Sequence, residues 1–99
     1  MHRSREEILR TLETNRDRIL AFGVRRLGLF GSYARNEAAE GSDMDFVVEF
    51  GKKSFDGYMD LKTFLEELFG CRVDLVIADA VKPLLWAAIV DGAVHAQGL

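Results

Sequence analysis

Residues 24–50 read VRRLGLFGSYARNEAAEGSDMDFVVEF, and this stretch decides the fold. Val24, Leu27, Leu29 and Phe30 form a β-branched and apolar run that stops at Gly31-Ser32, the pattern of a strand. Ser32 is placed to cap a short helix through Tyr33, Ala34 and Arg35, because a hydroxyl accepts from the free amides of a first turn. Asn36 to Ser42 reads as an exposed loop. Met44 to Phe50 makes a second strand, apolar except for Asp45 and Glu49.

Working outward, Ser4 followed by Glu6 and Glu7 starts a helix, and Ile8, Leu9, Leu12, Ile19 and Leu20 recur near helical spacing until Gly23. On the other side, Gly51-Lys52-Lys53-Ser54 turns the chain into a helix carrying Tyr58, Leu61, Phe64, Leu65 and Leu68, which Gly70 ends. Val73 to Ile77 is the third strand. Asp79 or Ala80 begins the approach to a last helix with Leu84, Leu85, Trp86, Ile89 and Val90, Pro83 fitting its first turn. Trp86, with Leu85 and Ile89, is assigned first to the core and second to an interface patch. The order α-β-α-β-α-β-α predicts an α/β (α+β) fold, a small mixed β-sheet with flanking helices. A helical crossover favours parallel pairing of strands two and three, and the short link between strands one and two permits an antiparallel pair.

With 99 residues, 48% hydrophobic and 29% charged, the chain suits one domain over 1–99 with one modest core, to which a second copy in a homo-oligomer could add. Its longest apolar run, Leu84 to Val90, falls far short of the roughly 20 residues of a membrane helix. The opening Met1-His2-Arg3-Ser4-Arg5 leads into Glu6 and Glu7 rather than an apolar segment, so a cytoplasmic location is expected. Cys71, the single cysteine, has no internal disulfide partner and is expected to pack as a small apolar residue. A net charge of −3 argues against a broad grip on nucleic acid while leaving room for a local nucleotide site.

Three carboxylates stand in otherwise apolar strands: Asp43 and Asp45 at the start of strand two, and Asp74 in strand three. An unpaired carboxylate is costly to bury, so such a set asks for a reason. Alternation puts Asp43 and Asp45 on one face, and a neighbouring strand about 4.8 Å away can bring Asp74 to it. Converging carboxylates suit a hard cation such as Mg²⁺, which commonly bridges protein oxygens and substrate phosphates. Gly31-Ser32 supplies the complement, since glycine permits close approach and the exposed amides of the turn suit a phosphate. Arg35 is open to either a phosphate contact or an ion pair. Taken singly, Gly41-Ser42-Asp43 is an ordinary turn and Gly31-Ser32 a common strand-to-helix link; the combination is what points to a metal site. His95 reads as a polar residue near the C-terminus rather than a catalyst.

Gly31-Ser32-Tyr33-Ala34-Arg35, then Ser42-Asp43-Met44-Asp45, then Asp74 resemble the signature of the polymerase-β-type nucleotidyltransferases, and most nearly that of the minimal nucleotidyltransferase (MNT) domains. The resemblance runs from the first helix to the last. It implies transfer of a nucleoside monophosphate from ATP or another triphosphate with two Mg²⁺ ions. Asp43 and Asp45 would bind both ions, Asp74 would bind the catalytic ion and help activate the acceptor hydroxyl, and Gly31 and Ser32 would hold the triphosphate. Arg35 and Ser42 belong to the implied nucleotide contacts. One departure is Asn36, where the family often has glycine; Asn tolerates a left-handed backbone. Relatives of this kind imply an MntA-like antitoxin that modifies a HEPN-type partner. Two alternatives stand beside it: a small-molecule enzyme of the aminoglycoside-modifying type, and an antitoxin that acts by binding alone.

Overall fold

The computed structural model describes residues 3–51 and 55–99. The expected turn at Lys52-Lys53-Ser54, like Met1 and His2, lies outside the described residues. Helix α1 (Arg5–Thr14) opens on a capping box: the Ser4 hydroxyl accepts from the Glu7 amide at 3.1 Å, and the Glu7 carboxylate accepts from the Ser4 amide at 3.3 Å. The single first helix expected from the sequence is two. Asn15, at φ −103 and ψ 15, leaves helical geometry, and its side-chain amide donates to the Thr11 carbonyl at 2.9 Å. A second segment, α2 (Arg16–Leu20), restarts from there. Short polar side chains that bond nearby backbone break helices in this way.

Strands β1 (Val24–Phe30), β2 (Met44–Phe50) and β3 (Val73–Ile77) keep the predicted bounds. Their order is β1-β2-β3, with β1 antiparallel and β3 parallel to the central β2, as the lengths of the connections imply. Short helix α3 (Gly31–Ala34) joins the first two strands, and α4 (Phe55–Phe69) makes the crossover to β3. Gly70, at φ +65, then ends α4.

Register sorts the sheet into two faces. Leu27 and Leu29 pair with Val48 and Phe46, which pair in turn with Ile77 and Leu75. With Met44, Phe50 and Val73, this face packs against Ile8, Leu12 and Ile19 of α1 and α2 and Leu61, Leu65 and Phe69 of α4. On the opposite face, Phe30, Asp45 and Asp74 form one row across the strands, and Gly28, Val47 and Val76 form the next.

The last helix departs from expectation. After a 3₁₀ turn (Ala78–Ala80), α5 (Pro83–Trp86) widens at once into a π turn (Ala87–Asp91), and neither contains a buried residue. Leu84 is 94% exposed, Leu85 49% and Trp86 39%, so the core assignment of this segment is corrected. Apolar composition identifies a helix, but the core face of the sheet is already covered by α1, α2 and α4. The C-terminal tail straddles the outer edge of β1: Val94 exchanges two 2.8 Å backbone bonds with Leu29, His95 lies over Gly28, and Ala96 and Leu99 enter the core.

Candidate functional site

Parallel register places Asp45 of β2 directly beside Asp74 of β3, and the antiparallel register places Phe30 on its other side. Asp43 precedes β2 by one residue and is exposed, as is Asp74, while Asp45 is half-buried. Burial first, then the negative charges of Asp74 and Asp43, push the Asp45 carboxyl above its ordinary range; Arg35 partly offsets them. Asp45 is therefore within electrostatic reach of both other acids. Among the described residues the three do not yet close around one point as a ligand cage, in keeping with mutual repulsion of like charges.

Gly31 roofs Asp45. Its φ is +75, and a Cβ there would overlap the Asp45 Oδ2 and stand 3.1 Å from its Cγ. Only glycine therefore lets the turn after β1 come this close. The turn leads into α3, whose N-cap position is Phe30; no side chain caps it, so Ser32 sits inside the first turn rather than at the cap expected of it. A helix of four residues carries little dipole, and any anion here meets the turn's own amides. The far end of α3 closes as a Schellman motif: the Glu37 amide donates to the Ser32 carbonyl at 2.8 Å and the Asn36 amide to Tyr33 at 3.2 Å. Asn36 adopts φ +56, the left-handed conformation its residue type tolerates, and its side-chain oxygen accepts from the Arg5 amide at 2.7 Å. The departure from glycine is thus absorbed, and Asn36 ties the turn to α1.

A family model of the nucleotidyltransferase domain matches residues 6–94. The chain belongs to this family. It is 47% identical over 77 residues to a protein of Methanocaldococcus jannaschii named as a protein adenylyltransferase, a match covering 77% of this chain and 83% of that one. A solved minimal nucleotidyltransferase superposes with a TM-score of 0.73 at 35% identity, covering 94% of this chain and 96% of the other. A Shewanella oneidensis complex of a tri-AMPylated HEPN toxin with its MNT antitoxin shares the fold, with a TM-score of 0.57 at 21% identity over 84% of this chain and 66% of that one.

Within this nucleotidyltransferase domain the remaining predicted residues are less committed. Arg35 is exposed and pairs with Glu37 at 3.0 Å. The Ser42 hydroxyl accepts from the Ala39 amide at 3.0 Å, which fastens the loop ahead of Asp43. A cavity of about 360 Å³ beside Asp43 and Ser42 is walled by Tyr33, Phe69 and Cys71 and flanked by Arg3 and Arg72. Burial raises the Cys71 thiol above its usual range, in keeping with its apolar role. Sequence reasoning overlooked Arg3 and Arg72, which no spacing singles out. It also overlooked Gly28, although a glycine inside a strand does signal close approach of another group.

The donor set suits Mg²⁺: oxygen only, half open to solvent, and capped by a glycine cradle that a Cβ would fill. The described residues contain no helix long and apolar enough to cross a membrane.

Proposed function

We propose that this nucleotidyltransferase domain, acting in the cytoplasm, transfers AMP from ATP to a hydroxyl of a separate HEPN-type protein and thereby serves as its antitoxin. The observation that carries the proposal is the Asp45–Asp74 row, with Asp43 beside it, under a glycine turn that leaves no room for a side chain. The name of the Methanocaldococcus jannaschii relative supports an adenylyl group and a protein acceptor, and the Shewanella oneidensis complex supports a HEPN toxin as that acceptor.

In this reading the amides of the Gly31 turn and the Ser32 hydroxyl hold the triphosphate. Arg35 exchanges its exposed ion pair with Glu37 for a phosphate, a trade between interactions that are each weak in water. Ser42 keeps the loop before Asp43 in place at the nucleotide's side. Asp43 and Asp45 would hold two Mg²⁺ ions, and Asp74 would share the one on the acceptor side. When bound, Mg²⁺ clamps the attacking and leaving oxygens and neutralises the charge that develops on them. Asp74, exposed on the edge strand, meets the incoming hydroxyl and takes its proton. The hydroxyl oxygen then bonds to the α-phosphorus as the bond to pyrophosphate breaks.

Intact-mass analysis after incubation with ATP, Mg²⁺ and the HEPN-type partner tests the assignment. Wild type should add AMP to the partner. Asp74→Asn should still bind ATP in calorimetry but fail to transfer. Normal transfer by that variant would make Asp74 structural, and AMP appearing only on an added small molecule would remove the protein acceptor.

A further inference from the structure

His95 makes contacts that its place near the C-terminus does not call for. Its Nδ1 lies 2.8 Å from the Leu27 carbonyl oxygen. A carbonyl only accepts, so Nδ1 carries the proton, and in the neutral ring Nε2 is left with a bare lone pair. That nitrogen stands 3.4 Å from a guanidinium nitrogen of Arg26, a group that only donates. The neutral tautomer thus satisfies both neighbours at once. A second proton would set an N–H⁺ against the guanidinium.

The ring lies against the one strand position without a side chain. A Cβ on Gly28 would stand 2.8 Å from the His95 Cε1 and 2.8 Å from the Ala93 Cβ. Next to it, Val94 and Leu29 exchange their 2.8 Å backbone bonds, one residue before Phe30 and two before Gly31. Charged groups around the ring are Arg26 from β1 and Glu49 from β2; the 3₁₀ and π turns bring only Ala78 and Val90 to the same small cleft. Arg25 lies beyond it, paired with Glu49 at 3.5 Å.

We propose that His95 is a positioning residue for the Gly31 turn: as a neutral imidazole it latches the C-terminal tail to β1 and so holds the turn over Asp45, and a second proton releases the latch. The effect on the turn rests on the nucleotide reading above; the latch itself does not. Histidine is the residue type whose ordinary charge change falls nearest neutral pH, which sets the range over which the latch is tested.

NMR on the full chain, titrated from pH 8 to 5, reads the His95 ring together with the Leu29, Val94 and Gly31 amides. All should move with one midpoint, and the Leu29 and Val94 amides should exchange with solvent about tenfold faster at the acid end. His95→Asn retains a donor for the Leu27 carbonyl but does not titrate, so its amides should stay protected at pH 5. Arg26→Gln, which removes the opposing charge but keeps a side-chain amide able to donate toward Nε2 and leaves His95 and its Leu27 bond in place, should blunt the acid response and serves if the first variant does not fold. ATP binding should weaken with acid in wild type and less so in His95→Asn. Amides indifferent to the ring's titration, or the same acid loss in both variants as in wild type, would overturn the latch. Absence of ATP binding at pH 8 would overturn the nucleotide reading instead, with the amide titration still deciding the latch.

Discussion

The two faces of one strand live under different rules. Along β2, Met44, Phe46, Val48 and Phe50 point into the helices and are each no more than 6% exposed. Asp45, between two of them, points the other way, into a row of acids under Gly31. The first face is close-packed, and its residues exclude water with groups that lose little by it. The second concentrates like charges, which no stable core tolerates without a compensating ligand. One face thus supplies the free energy of folding, and the other spends some of it on chemistry.

The comparison breaks most visibly at Phe46, which is fully buried and stacks on Phe69 with ring centroids 6.0 Å apart. Phe46→Ala should cost about 3–5 kcal/mol, a large fraction of the roughly 5–15 kcal/mol expected of a domain this size, and urea unfolding will show whether it does. On the other face, Asp45→Asn should lower adenylyl transfer by at least about a hundredfold while leaving the circular dichroism spectrum unchanged. Transfer at the wild-type rate would remove Asp45 from the site.

The same variant sharpens the contrast through pH. Asp45 titrates above its ordinary range because of burial and its acidic neighbours, so the folded state holds a proton more tightly than the unfolded chain. Stability from this group is full below the unfolded pKa and is lost as pH rises through the folded one. At neutral pH, with Mg²⁺ chelated, Asp45→Asn should therefore melt higher than wild type. The gap should close as pH falls through the Asp45 titration, and a gap that stayed constant would mean that charge is not its cause. The smallest effect belongs to the exposed last helix: Leu84→Ser, at a residue 94% exposed, should shift stability by less than about 0.5 kcal/mol.

What could be read in advance follows the same division. Strand bounds were legible because alternation and flanking glycines act locally, and the parallel pairing of β2 with β3 followed from the crossover helix, whereas the register that sets Asp74 beside Asp45 came only with the structure. The break at Asn15 was not, since a side chain bonding back to Thr11 leaves the apolar spacing of Ile8, Leu12 and Ile19 intact. Nor was the fate of Trp86, because hydrophobicity states what a residue avoids and not which neighbour is available. At the site, residue types revealed the acids and the glycine turn. The contacts of Ser42 and Arg35, and the cavity beside Arg3 and Arg72, depend on loop geometry that no pattern encodes.

The overlap that a Cβ on Gly31 would make with the Asp45 carboxylate also binds the two positions together under sequence change. Neither can be altered as if the other were absent. Gly31→Ala alone meets the carboxylate, whereas in an Asp45→Gly background the obstruction is gone and only the cost of φ +75 remains. The destabilisation from the alanine should thus be smaller in the second background, a non-additive cycle of the kind touching residues give. In an evolving lineage, a chain that had lost its acid would be free to fill the glycine, and refilling the acid afterwards would meet a closed door.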